Sequence, residues 1–300
     1  MRRPRLSPSR LLSFLLMSSA CTVTPRDEQT TGIATLSTTI GAGSESSSGD
    51  DGDPTGMKLD AAGDSGGVSE IAEVFGHSAT TLYRLDPTTK QVTVVGDFVG
   101  CDASIIDIAL DADSNMYGAA FGSLWSIDRT TAACTHIADG EYPTSLSFVP
   151  AGTVDPDREA LVGFVDADYI RIDTQSGAVT PLGTLAGGLA SSGDLVAVAG
   201  GGTYLTVTGG DLCGTLDCVI ELDPSDGTLL ANFGTVPYPE VFGLAFWAGR
   251  AYGFARSGDL FEIDFVDNQV TTTAIQIPGA PASLEFFGAG STTSAPPAEG

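Results

Sequence analysis

The chain has 300 residues, 38 of them acidic and 13 basic, for a formal net charge of -25 at pH 7. A surface this acidic repels phosphate backbones and anionic lipid heads, which excludes nucleic acid as a partner. Two histidines in the whole chain leave little material for His-based catalysis.

Residues 1–20 read as a secretion signal peptide. Arg2, Arg3, Arg5 and Arg10 precede an apolar run over 11–17, and Ser18-Ser19-Ala20 lead into Cys21. A basic stretch, a short apolar core and small residues before a cut are the parts of such a signal. The run is too short to span a bilayer as a permanent helix. A cysteine just after the cut resembles a bacterial lipoprotein, which implies lipidation at Cys21 and a membrane contact made through that anchor alone. Thr22, where some bacteria read an inner-membrane retention Asp, points to the outer membrane. Ser18 stands where the lipobox carries Leu or a similar residue. The same small residues suit an ordinary signal peptidase, whose cut would leave Cys21 unmodified and the protein periplasmic or secreted. Loss of the four leader arginines takes the formal charge from -25 to -29.

Residues 21–67 are rich in Ser, Thr, Gly and Asp, with the run Gly41–Asp53 as the extreme. Such a segment cannot bury enough apolar surface to offset its ordering entropy, so a disordered acidic tether is expected. A second disordered stretch is expected over 290–300. Between them, 68–289 should form one all-β domain.

That domain carries an internal repeat. Its clearest unit is a short apolar-alternating strand ending in Asp: Leu82–Asp86, Leu124–Asp128, Tyr169–Asp173, Val219–Asp223 and Leu260–Asp264. Asp at that place can cap the following turn by accepting backbone N–H bonds. A Gly-rich apolar strand precedes each unit (116–121, 160–165, 203–207, 251–255), and another precedes that one (105–110, 144–149, 194–199, 241–246). No helical period appears in the domain. Four short antiparallel strands per period of about 40–50 residues make one β-propeller blade. The first period shows its last two strands clearly, with 70–75 as a third, and 282–287 resembles an innermost strand with nothing after it. The expected fold is therefore a five-bladed propeller closed by pairing of N- and C-terminal strands, which hides the sheet edges. These Leu-x-x-Ile-Asp units, with Leu244-Ala245-Phe246 ahead of Arg250, Tyr252 and Gly253, resemble secreted bacterial β-propeller lipoproteins. The resemblance covers roughly 70–288 and specifies fold better than function.

Apart from Cys21, the cysteines are Cys101, Cys134, Cys213 and Cys218. An even number in an exported chain suggests two disulfides. Cys213 and Cys218 flank a four-residue loop and pair easily, which would leave Cys101 with Cys134, although three connectivities are formally open. Zinc is the rival, but the spacing is poor for it and no His is near.

Neither His77, beside Gly76 and Ser78 in an expected turn, nor His136, in an outer strand, has a nucleophile arrangement around it. Asp111, Asp113 and Asn115 copy the first ligand positions of a calcium loop, but Met116 and Gly122 replace the Gly and Glu it requires; a hairpin turn is the plainer reading. Asp155, Asp157 and Glu159 occupy the equivalent turn one period later, and Asp166 and Asp168 a further one. Propellers bind ligands at one end of the channel, here near Asp107, Ser145, Asp194, Gly243 and Ser283. Asp107 and Asp194 interrupt apolar strands, and buried carboxylates need partners. They are the possible channel-mouth site, as water-bonded channel acids or as holders of a cation as in lactonase-type propellers. Glu221–Leu230 resembles a quinone-cofactor propeller repeat, but Ala231, Asn232 and Phe233 stand where its docking Trp belongs. No cofactor is expected, with calcium the one ion left open. The expected role is a monomeric, non-catalytic domain that binds a protein or a small molecule, with a metal-dependent hydrolase as the alternative.

Overall fold

In the computed structural model, residues 73–214 and 216–298 are described. The signal peptide, Cys21 and the tether expected over 21–67 lie outside the described residues.

The chain forms five four-stranded antiparallel sheets. The first contains β1 (Val74–His77), β2 (Thr81–Asp86) and β3 (Gln91–Asp97). The second is β4 (Ile105–Leu110), β5 (Met116–Ala120), β6 (Ser123–Ile127) and β7 (Cys134–Asp139); the third is β8 (Ser145–Val149), β9 (Ala160–Val165), β10 (Asp168–Ile172) and β11 (Val179–Thr184). The fourth is β12 (Leu189–Ala197), β13 (Thr203–Gly209), β14 (Cys218–Leu222) and β15 (Leu229–Thr235), with the short helix α1 (Gly210–Cys213) between β13 and β14. The fifth is β16 (Val241–Trp247), β17 (Arg250–Ala255), β18 (Leu260–Val266) and β19 (Gln269–Ile275). The last strand, β20 (Gly288–Ser291), returns to pair antiparallel with β1, so the first sheet reads β20-β1-β2-β3. This is a five-bladed β-propeller, its ring closed by a strand from late in the sequence.

The burial pattern gives the physical reason. Each inner strand is apolar on both faces because it packs against two neighbouring blades. In β4, Ile105, Ile108 and Leu110 join the core shared with the first blade, while Ile106 and Ala109 join the core shared with the third. In β12, Leu195 and Ala197 face the third blade, and Val196 faces the fifth. Five apolar cores result, one per blade interface. The outer strands alternate partly exposed and exposed residues, as in β19. Both disulfides form: Cys101–Cys134 ties the β3–β4 connection to β7, and Cys213–Cys218 closes the loop between β13 and β14.

The repeating units occupy one structural place. All five fall on the third strand from the axis, β2, β6, β10, β14 and β18. Asp86 accepts from the backbone N of Thr88 (2.9 Å) and Thr89 (3.0 Å), Asp128 from Thr130 (2.8 Å) and Thr131 (3.1 Å), and Asp173 from Gln175 (3.1 Å) and Ser176 (2.8 Å). Asp223 accepts from Ser225 N at 2.9 Å. Hydroxyl bonds from Thr130, Ser176 and Ser225 hold the carboxyls of Asp128, Asp173 and Asp223 below the usual range, with these backbone bonds adding to them, and the Thr89 backbone bond leads for Asp86. The fifth differs: Asp264 pairs with Arg250 (2.7 Å), and the turn behind it is made by Asp267 and Asn268, both at positive φ.

Four expectations need correction. The strand expected over 70–75 is β1, beginning at Val74. The innermost strand of that blade is β20 at 288–291, and the more apolar stretch 282–287 is its approach loop. Small residues are required there: a Cβ on Gly290 would come within 2.8 Å of the Ile108 carbonyl, and one on Gly243 within 2.7 Å of β20. The apolar pattern thus pointed one segment too early. The stretch from 290 onward is not a free tail, since Ser291, Thr292, Thr293 and Ala295 are buried. And β12 begins at Leu189, ahead of the expected 194, with a register shift between Ser191 and Leu195.

Residues 292–298 close one end of the channel by touching every blade. Glu73 N donates to Thr292 Oγ1 (3.3 Å), Leu110 bridges to Thr292, and Thr293 Oγ1 donates to Glu159. Ala199 N donates to the Thr293 carbonyl (2.8 Å), and Ala248 N to that of Pro296 (2.7 Å). Glu73, where the described chain begins, lies at this same closed end.

Candidate functional site at the open end of the channel

One residue from each inner strand forms a layer within the channel: Asp107, Ser145, Asp194, Gly243 and Gly288. The first three have no exposed surface. Ser283, expected in this set, lies in the loop before β20, and Gly288 takes its place because the inner strand is later than the apolar pattern suggested.

The two acids make the same construction on alternate blades. Asp107 accepts from the following N–H, Ile108 (2.9 Å), and from Leu146 N on the next blade (2.6 Å). Asp194 accepts from Leu195 N (2.6 Å) and from Leu244 N on the next blade (2.7 Å). Each carboxyl therefore joins its own inner strand to the neighbouring one and satisfies N–H groups that would otherwise be orphaned in a dry channel. The two carboxyls also hydrogen-bond to each other, which requires one proton between them. Burial pushes both above the ordinary carboxyl range, and for Asp107 the adjacent Asp194 adds to the push. Four backbone donors, two on each carboxyl, hold the pair.

His77 completes this layer. It ends β1, fully buried, rather than lying in the turn its neighbours suggested. Its Nδ1 bonds the Ser78 carbonyl (2.9 Å) as donor, and burial lowers its pKa to about 4, so the ring is neutral. Nε2 is then an acceptor with no hydrogen-bond partner among the described residues. Gly288 separates it from Asp107: a Cβ there would sit 2.6 Å from His77 Nε2 and closer still to Asp107 Oδ1, so the position admits only glycine.

Directly outside this layer the channel opens into a bowl of about 240 Å³ lined by Ile106, Phe121, Thr144, Ser192, Gly193, Phe242 and Phe287. Ile106, Thr144, Gly193, Phe242 and Phe287 each immediately precede the channel residue of their blade. Phe121, at the tip of the β5–β6 hairpin, is 77 % exposed. A second depression of about 450 Å³ shares Phe121 and Thr144 and adds Glu141, Tyr142, Pro143, Val165 and Asp166.

The basic residues are distributed unevenly between the two ends. Seven Lys and Arg lie among the described residues. Arg84, Lys90, Arg129, Arg158, Arg171 and Arg250 sit towards the closed end, each in an ion pair. Arg256 alone is on the open side, paired with Glu240 at 3.2 Å. Asp139, Glu141, Asp166, Asp168 and Asp259 all stand at strand ends or turns of the open side.

The other sequence candidates are dispersed. Asp111 turns onto its own loop, accepting from Asp113 N (3.0 Å), Asn115 N (2.8 Å) and Asn115 Nδ2 (2.8 Å). Asp155 binds Arg171 (2.7 Å) and Arg158 (3.2 Å), and the Arg171 guanidinium holds its carboxyl down to about 2. Asp157 N donates to Asp155, and Glu159 anchors residues 112 and 293 at the closed end. Asp168 accepts from Thr184. His136 lies on the outer strand β7, half-exposed, against Asp139 (2.9 Å) and edge-on to Trp125. Ala231, Asn232 and Phe233 lie in the outer strand β15. Among the described residues, no cluster of three or more His, Cys, Asp or Glu has the geometry to hold a metal ion. The bowl residues were missed because Phe242, Phe287 and Ile106 read as ordinary core; the signal that finds them is their common place one residue before the aligned channel positions.

No family model matches the sequence, and no curated protein matches it. Among solved structures the chain is similar to one in a nidogen/laminin complex, at 12 % identity and TM-score 0.47, covering 73 % of this chain and 98 % of that one. It is also similar to a protein of unknown function from Bacteroides caccae, at 12 % identity and TM-score 0.39, covering 72 % and 77 %. A third likeness is to a structure described under the de novo evolutionary emergence of a symmetrical protein, at 14 % identity and TM-score 0.47, covering 75 % and 100 %. The propeller assignment rests on the strand topology of this chain itself.

Proposed function

We propose that this is a non-catalytic binding propeller displayed at the bacterial cell envelope, tethered through a lipidated Cys21, with the open end of the channel as its binding face. The observation that carries the reading is the inequality of the two ends. One is sealed by residues 292–298, beside Glu73, the first described residue. The other presents an apolar bowl. Asp107 and Asp194 support a structural role over a catalytic one, since all four of their oxygens accept backbone N–H groups and neither side chain is exposed. The alternative, a metal-dependent hydrolase, has in its favour that these two carboxyls meet.

Two measurements test the proposal. Cell fractionation of Cys21→Ser should move the protein from the membrane to the soluble fraction, and retention on the membrane would refute the anchor. A photo-crosslinking phenylalanine analogue at Phe121, compared with one at the exposed outer-strand Val94, should give adducts only at 121. Equal labelling at both positions would refute the open end as the binding face.

A further inference from the structure

The open end combines three properties that together define a class of ligand. Phe121, Phe242 and Phe287 contribute three phenyl rings to the wall of one bowl. Neither the bowl nor the depression beside it is lined by Lys or Arg, and the latter carries Glu141 and Asp166. One residue further in, behind Ile106 and Gly193, the channel holds the buried Asp107–Asp194 carboxyl pair and His77 Nε2, an acceptor with no hydrogen-bond partner among the described residues. We propose that the bowl binds an alkylammonium ion, its charged head against the phenyl rings and above the buried acid pair. This rests on the open end being the binding face and names what that face takes.

The chemistry separates this class from its competitors. An aromatic face attracts a cation through its quadrupole, most strongly where water is excluded. An anion would meet the acid pair and the acidic rim with no cationic side chain in the lining to receive it. A divalent metal needs several oxygen ligands, whereas no carboxylate lines the bowl, the Ser192 hydroxyl is buried, and the acids beneath are occupied by backbone donors. A neutral alkyl chain would enjoy the apolar walls but gain nothing from Glu141 and Asp166 beside them. A weakly hydrated organic cation uses all three features at once. The bowl has room for such a head group, and the exposed Phe121 ring is the surface that a ligand would cover.

The test is calorimetric titration of the full chain at 0.15 M salt with hexyltrimethylammonium, 1-hexanol and hexanesulfonate. The cation should bind saturably with one site, at least tenfold tighter than hexanol, and hexanesulfonate should not bind. Phe242→Leu and Phe287→Leu keep apolar bulk and remove the aromatic face, so each should weaken the cation three- to tenfold and leave hexanol unchanged. Phe121→Leu repeats the comparison at an exposed residue whose substitution does not disturb the fold. Equal binding of hexanol and the cation overturns the inference while leaving the bowl as a binding face. Cation binding indifferent to all three substitutions, or absent altogether, also overturns it; the crosslinking at Phe121 judges the binding face independently.

Discussion

Asp107 and Asp194 come from the second and fourth blades, yet their carboxyl groups meet in the channel and hydrogen-bond to each other. In the unfolded chain both lose their protons in the ordinary carboxyl range, so across neutral pH the folded state holds a proton that the unfolded state has released. The sign follows from linkage: stability falls as pH rises from that range towards the raised folded values, by up to about 1.4 kcal/mol per pH unit for each proton retained. Urea midpoints between pH 6.5 and 9 should decline for the wild type and stay flat for the Asp107→Asn, Asp194→Asn double variant. A flat wild-type profile would rule out the shared proton.

His77 acts in the opposite direction. Burial lowers its pKa from the ordinary 6.5 to about 4 on folding, so the unfolded chain takes up a proton between those values and the folded chain does not. Stability therefore rises with pH from about 4 to 6.5 on its account, offsetting the acid pair over that window. The equivalent second-strand position holds Phe164 in the third blade and Phe254 in the fifth, so His77→Phe is a conservative probe. It should unmask a decline beginning near pH 4, seen in a urea series extended from pH 6.5 down to pH 4; an unchanged profile would place the histidine outside this balance.

Removing residues 292–300 should leave the ring closed but open the far end of the channel. The deletion loses the buried Thr292, Thr293 and Ala295 and the bonds they make to all five blades. At about 1 kcal/mol per hydrogen bond, a loss of roughly 3–5 kcal/mol is expected in a urea melt. Deletion from 288 also removes β20 and should prevent cooperative folding altogether. Similar behaviour of the two truncations would contradict the assignment of ring closure to β20.

The two disulfides should differ in worth. Cys101–Cys134 spans 33 residues and Cys213–Cys218 spans 5. Chain-entropy reasoning gives about 3–4 kcal/mol for the longer loop and about 2 for the shorter. Paired Ser substitutions, each followed by thermal melting, should rank in that order. Reductant should lower the melting temperature of the wild type and leave the quadruple variant unaffected.

Much of the architecture was legible because a blade is a local object. The Asp-ending strands could be found and counted: four of the five acids cap the next turn through bonds to residues two or three positions ahead. Ile105–Leu110 was read to the residue because a strand buried on both faces has no polar alternation to blur its ends. The failures were all at the ring closure and the axis, where the deciding contacts are remote. Gly288-Ala289-Gly290 lacks the apolar character that drew the innermost strand to 282–287, yet small size is what the crowded axis requires. Residues 292–295 looked like a polar tail, and nothing nearby in sequence announces Glu73, Glu159 or Ala199 as their partners. The partnership of Asp107 with Asp194 was likewise open only to the guess that two acids in apolar strands share a channel.

The pairing of Val74 with Ser291 also sets a timetable. Blades two to five are each made from consecutive residues and can form as they emerge, but the first remains an open three-stranded sheet with an unpaired edge. Until residue 291 arrives, that edge and the flank of the fifth blade present backbone donors and apolar side chains to any neighbour. A chain emerging from a ribosome or a membrane pore in sequence order therefore completes its fold in one late step. Its period of greatest risk, and its greatest need of a holding chaperone, lies just before that step.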